Sequence, residues 1–465
     1  MAYIISNDNV NGYSRADFIS ALAAKQDILI SGENIKTINH QSLLGQGNVQ
    51  IDISPQIYEY DLTDLEQTLH DDTITKLNAV NPIDPSTGKR KYVSFGFITD
   101  LHTMPTKTQI VADGDIEDVV SDILAMGIEL EQPENGQTIP EQIRSTWPTS
   151  DASYYGASSE GSVKLLGSIA HDFGLDAVFC DGDLSSGRLP YNSYAYMLEI
   201  MARMVRKYIS VPYFLADGNH DRQYSSDVAY RNSVEWKKYR DRFNTPRGLK
   251  VRYVSDNADA CEFMGDEIPI GYSVDIDKGG KNRLHVAVIP MYGSSQTVSM
   301  NYAISIDDTD KNANDWTLVT MSHTNVQYVA TYYTASLAGR AHGKGSSSNQ
   351  NQYPVMNMGN KLKACIGHID GHIHQSLVDN AFGDNFHRIT VSSAYADNTN
   401  AYKYNTDNGY CFSVFTVDTD NWWLYEHQVG RRPRVDSNYQ DIEGNYEKVA
   451  DGIYRYKIYL NPELL

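Results

Sequence analysis

Five short apolar runs in this chain each end in a cluster of polar, metal-ligand-type residues, and nothing else in the sequence limits the fold so sharply. Runs 93–99, 177–180, 213–216, 318–321 and 364–366 lead into Asp100-Leu-His102, Gly182-Asp183, Gly218-Asn-His-Asp221, His323 and Gly371-His-Ile-His374. In open α/β sheets, ligands gather outside the carboxyl ends of the strands, so clusters this far apart in sequence converge if the runs lie side by side. A further run, 284–289, and helical patterns between the runs fit that layering; Val163, Leu166, Ile169, Ala170 and Phe173 share one helix face that Gly174 stops. Runs 410–417 and 422–426 read as a hairpin around Asp418-Thr-Asp-Asn421.

The residue types set the chemistry. Imidazole nitrogens with carboxylate and amide oxygens, and no thiolate, suit a pair of catalytic divalent metals rather than a thiol-rich structural zinc. Two ions roughly 3.5–4 Å apart need a shared ligand, which a carboxylate supplies and an imidazole does not. Asp183 is the natural candidate.

In this order the clusters resemble the calcineurin-like metallophosphoesterase superfamily, over residues 92–430. The resemblance implies an α/β fold of two packed mixed β-sheets flanked by helices, and hydrolysis of a phosphate ester by a metal-activated water. It implies Asp100, His102 and His374 on one ion, Asn219, His323 and His372 on the other, and Asp183 on both. The ions would be manganese, zinc or iron, the sequence leaving the choice open. His220 would face the substrate, so His220 and Asp183 are the candidate catalytic residues. The segment 418–430 looks like the family's closing hairpin.

Two departures stand out. Many relatives carry an Asp three residues beyond the bridging Asp to orient that histidine, whereas this chain has Ser186. The interval between Asp100 and Asp183 is long and inserts an acidic, loop-rich stretch, 103–159, with one expected helix at 116–130. It could lid the site, serve assembly or be a plain surface insertion. A one-motif slip would put His368 and Asp370 in place of His372 and His374, and Arg340 or Lys344 in a Gly/Ser-rich loop could meet a substrate phosphate or stay solvated.

At 465 residues the chain exceeds one ordinary core. The reading divides it into a 1–55 arm with a small helix at 14–25 and short strands, a 56–91 connector with a helix at 62–77, the 92–430 domain and a 431–465 extension. The string SGENIKTINHQSLLGQGNV, residues 31–49, resembles a segment of tail-fibre and related virion proteins of tailed bacteriophages. That resemblance implies a virion protein made in the host cytoplasm, self-associating as a homo-oligomer or docking on other virion proteins through the arm.

A formal net charge of −20 repels nucleic-acid backbones and disfavours general nucleic-acid binding. No run is long enough to span a membrane, and the start lacks the pattern of a signal peptide. Cys180, Cys365 and Cys411 sit in apolar runs as small hydrophobes. Among 33 tyrosines, Tyr154-Tyr155 and the groups at 191–196 and 328–333 could stack on sugars, although amphipathic rings pack without a ligand. The expected function is therefore a virion phosphoesterase, acting on a phosphate ester that a host surface polymer could supply. The alternatives are a catalytically weak receptor-binding relative and a cellular nuclease or nucleotide phosphatase.

Overall fold

The structure, a computed structural model, describes residues 9–10, 13–14, 37–38, 41–42, 58, 60–149, 154–185, 189–218, 220–221, 233–256, 271–289, 316–323, 364–372, 374, 376–379, 387–397, 403–431 and 446–460. The chain divides into two compact units, 1–57 and 58–465. In the first, Asn9–Val10 pairs antiparallel with Tyr13–Ser14 and Thr37–Ile38 with Gln41–Ser42. The expected helix at 14–25 lies outside the described residues.

The second unit holds two mixed sheets. Strands β1 (Val93–Ile98), β2 (Ala177–Cys180) and β3 (Tyr213–Leu215) run parallel. The next strands in chain order are β4 (Lys250–Tyr253), β5 (Tyr272–Asp277), β6 (Arg283–Val288), β7 (Trp316–Met321), β8 (Ala364–Asp370), β9 (Leu377–Asp379) and β10 (His387–Thr390). They form the second sheet in the order β4-β5-β6-β7-β8-β10-β9, with β6, β7, β8 and β10 parallel. The hairpin β11 (Cys411–Asp418) and β12 (Trp423–Gly430) adds to the first sheet, β11 lying antiparallel to β1.

Both faces of the first sheet are covered. On β1, Val93, Phe95 and Phe97 pack between the sheets with Phe179, Phe214 and Phe415. Ile98, Val178, Cys180 and Val414 face the helical layer. A strand buried on both faces reads as a continuous apolar run, which is why these strands stand out in the sequence. The helical layer comprises α1 (Asp64–Val80), α2 (Lys107–Ala112), α3 (Ile116–Ala125), α4 (Ile139–Thr146), α5 (Glu160–Phe173), α6 (Tyr191–Tyr208) and α7 (Ser233–Phe243). Gly174 ends α5 in the left-handed conformation, φ 77°.

Three expectations change. Of the 56–91 connector, residues 58–91 belong to the second unit: Leu77 on α1 is in its core, Lys164 reaches Glu66 at 2.7 Å, and His70 reaches Asp172 at 3.1 Å. The insertion carries three α-helices among its described residues, not one, and the helix expected at 116–130 stops at Ala125. Helices α2 and α4 are too short for a clear period, but Thr106 and Thr138 each begin one with a capping box. Finally, residues set apart as a C-terminal extension complete both sheets. Strand β14 (Ile453–Lys457) pairs with β12, β13 (Tyr446–Ala450) with β14, and β15 (Tyr459–Leu460) with β8. Tyr456 Oη donates to the buried Glu426 carboxylate at 2.6 Å.

Two buried histidines make this fold acid-sensitive. Burial pushes His387 and His427 from 6.5 down to about 4. Both ring nitrogens of His427 lack a hydrogen-bond partner. Each is neutral in the fold and charges more readily in the unfolded chain, so its contribution is present above about pH 6.5 and is lost as pH falls toward 4. In chemical denaturation at pH 7.5 and 4.5, His427→Leu is expected to shrink the stability difference between the two pH values by about 2–3 kcal/mol. An unchanged difference would contradict burial of a neutral ring.

Candidate metal centre

Each cluster leaves its strand at the same edge of the two sheets. Asp100 and His102 follow β1, Asp183 follows β2, His220 follows β3, His323 follows β7, and His372 and His374 follow β8. Their side-chain ligand atoms fall into three overlapping groups: Asp100 with His102 and His374, His102 with Asp183 and His220, and Asp183 with His323 and His372. Within each group the atoms lie no more than 4.8 Å apart.

The contacts are close. His374 Nε2 stands 3.0 Å from Asp100 Oδ1, His323 Nε2 3.0 Å from Asp183 Oδ2, and His102 Nε2 3.6 Å from both carboxylates. His102 and His374 bring their Nε2 atoms within 2.9 Å of each other. Despite these approaches, Asp100 Oδ1 and His323 Nε2 are buried without a well-aligned hydrogen bond. Buried polar atoms this crowded and this poorly hydrogen-bonded fit a bound cation, and the donor set is one that divalent ions prefer. Burial opposes charge on Asp100 and Asp183, but His323 and the neighbouring histidines outweigh it and hold both carboxyls below their usual range.

The surrounding chain fixes these groups. Asp100 Oδ2 accepts from Thr99 Oγ1 at 2.9 Å and from the His372 backbone N–H at 2.8 Å. His323 Nδ1 donates to the Asp181 carbonyl at 2.5 Å, which turns Nε2 inward. Asp183 Oδ1 accepts from the His220 backbone N–H at 2.7 Å. The backbone itself is strained here: Asp100, His102, Asp183, His372 and His374 all have φ between 39° and 70°. They make up half of the ten non-glycine residues with positive φ among the described residues. Such conformations cost on the order of 1–3 kcal/mol each and gather at functional sites.

Asp221, the last residue of the Gly218-Asn-His-Asp221 cluster, is a positioning residue with no role expected from the sequence. Buried, it accepts from the backbone N–H groups of Asp183, Leu184 and Gly218 at 2.7, 2.9 and 2.9 Å. It thereby ties the loop after β2 to the loop after β3. Tyr154 and Tyr395 also stand beside the histidines. His368 and Asp370 remain inside β8, where His368 meets Thr320 Oγ1 at 2.9 Å and Ser322 Oγ at 3.3 Å, and neither joins a ligand group. Asn219, Ser186, Arg340 and Lys344 lie outside the described residues.

A profile of the family described as Calcineurin-like phosphoesterase matches residues 93–376, more than half of the chain. The chain belongs to that family. The match spans every cluster from Asp100 to His374, and this calcineurin-like phosphoesterase is accordingly a metal-dependent enzyme. Among solved structures, a dimetal phosphatase from Danio rerio is similar with a TM-score of 0.35 and 11% identity, over 74% of this chain and 97% of that chain. A likeness that loose assigns nothing to individual residues. Curated protein sequences return no match. No described helix is long and apolar enough to cross a membrane.

Proposed function

We propose that this phosphoesterase holds two divalent metal ions, one by Asp100, His102 and His374, the other by Asn219, His323 and His372, with Asp183 shared, and hydrolyses a phosphate ester there. The observation that carries the reading is the overlap of the ligand groups, in which Asp183 sits with His102 on one side and with His323 and His372 on the other. Bound in such a site, two ions lower the pKa of water toward neutrality and neutralise phosphoryl oxygens. The chain's own part is to hold these ligands in fixed orientation and to supply His220. That residue, tethered through its backbone N–H to Asp183, faces the substrate and protonates the leaving oxygen. No side chain is assigned as a nucleophile.

Elemental analysis of protein purified without chelators, with assays of a chromogenic phosphodiester and monoester in added Mn²⁺, tests this directly. About two metals per chain with turnover are expected. Metal without turnover would point to a binding role, and absence of metal would overturn the site. His220→Ala should lower kcat by about 10²–10⁴-fold while leaving bound metal unchanged. Metal lost in that variant would place His220 among the ligands instead.

The setting we infer is a bacteriophage particle. Residues 31–49 support it by their likeness to virion segments, and a phosphate-containing host surface polymer is then the first ester to try. The 1–57 unit would dock the enzyme on other virion proteins or on further copies of itself. Light scattering should give a larger assembly for the full chain than for a chain beginning at Tyr58. Equal sizes would remove the self-association role from that unit.

A further inference from the structure

The insertion between β1 and β2 delivers one aromatic side chain to the centre. Tyr154 stacks on His102 with ring centroids 3.9 Å apart and 15° between the planes. It also lies 5.9 Å from the His220 ring at 77° and 5.8 Å from His374. Tyr395 stands 5.0 Å from Tyr154 at 70° and 5.6 Å from His102. Tyr395 is buried, 4% exposed, whereas Tyr154 is half-buried.

Tyr154 is also strained, at φ 62°, a conformation that a bulky side chain keeps only where its surroundings enforce it. The enforcing bonds are present. Ala157 N donates to the Tyr154 carbonyl at 2.8 Å, Gly156 N to the Met104 carbonyl at 2.8 Å, and Met104 N to the Ala157 carbonyl at 2.9 Å. Ser158 and Ala396 exchange backbone hydrogen bonds of 3.0 and 2.8 Å, and Tyr404 Oη donates to the Gly156 carbonyl at 2.5 Å. The segment that carries Tyr154 is thus hooked both to the residues just past His102 and to those that carry Tyr395. A ring that served only to fill space would be buried like Tyr395. Tyr154 is instead only partly buried, and its ring centroid lies 5.9 Å from that of His220, the histidine assigned to the substrate.

Resting on the phosphoesterase reading above, we propose that Tyr154, buttressed by Tyr395, positions the substrate. Its ring is the wall against which the organic group of the ester lies, so that the site prefers a phosphate carrying a ring to one carrying a short alkyl chain. Aromatic stacking of this kind is worth roughly a few-fold to tenfold in affinity.

Calorimetric titration of the full chain in Mn²⁺, with phenylphosphonate and methylphosphonate as probes, tests the assignment without needing turnover. Wild type should bind phenylphosphonate up to about tenfold more tightly. Tyr154→Gly removes the ring and suits the positive φ, so the backbone is not strained by it. This variant should bring the two affinities together by weakening phenylphosphonate binding the more, and Tyr154→Phe should keep the preference. If Tyr154→Gly keeps the preference, or weakens both probes equally with loss of metal, the ring serves the fold or His102 alone and the proposal fails. If wild type binds neither phosphonate, or if Asp183→Ala leaves their binding intact, the failure lies in the phosphoester site itself, a separate and recognisable result.

Discussion

Asp183→Ala is expected to lower phosphoester turnover at least about a thousandfold and to strip metal from both halves of the centre. The size follows from how many groups depend on this one carboxylate. Its Oδ2 lies 3.0 Å from His323 Nε2 and 3.6 Å from His102 Nε2, while its Oδ1 holds the His220 backbone N–H at 2.7 Å. Removal takes away the carboxylate proposed to be shared, leaves the buried imidazoles facing one another, and frees the backbone N–H of His220. Elemental analysis beside a kinetic assay would check it. Activity within tenfold of wild type would mean that Asp183 is not shared and that the centre is organised around Asp100.

A methyl group added at Gly218 should also cost much of the rate, although it removes nothing. A Cβ there would stand 2.1 Å from Asp183 Oδ1 and 2.3 Å from Asp183 N. Asp183 has little room to retreat, because its N–H is held by Asp221 at 2.7 Å and its carbonyl accepts from His102 N at 2.8 Å. A displacement of about 1 Å in a reacting constellation costs on the order of a hundredfold in rate, and that is the expected loss for Gly218→Ala. The control is Gly114→Ala, where a Cβ meets nothing within 4 Å. Equal kcat/KM for the two variants would show that the loops after β2 and β3 yield more easily than their hydrogen bonds suggest.

The sequence carried the strands and the ligand clusters for a physical reason. Strands β1, β2 and β8 are buried along their whole lengths, so they read as mainly apolar stretches, and each leads into a cluster of polar ligand-type residues. Other features leave weaker marks. Strands β13 and β14 mix Glu447, Lys448 and Arg455 with tyrosines at a partly exposed edge, so their apolar signal is thin. Asp221 works by accepting from three backbone N–H groups, and a backbone donor has no residue type to look for. Tyr154 meets His102 only because the insertion folds back on the Ser158–Ala396 bridge, a pairing of 238 positions' separation that no local pattern encodes. Without that bridge in view, Tyr154-Tyr155 is one of several tyrosine groups able to stack on a sugar, with nothing to link it to His102.

Strand order also bears on when the enzyme becomes active. A nascent chain that has emerged only as far as His374 already carries every candidate ligand, but it lacks β11, the neighbour of β1, and β15, the neighbour of β8. The strands that aim Asp100, His102, His372 and His374 would then each have an open side, and pairings this distant in sequence form late. The centre should therefore stay inactive until β11 and β15 have been made and have docked on β1 and β8.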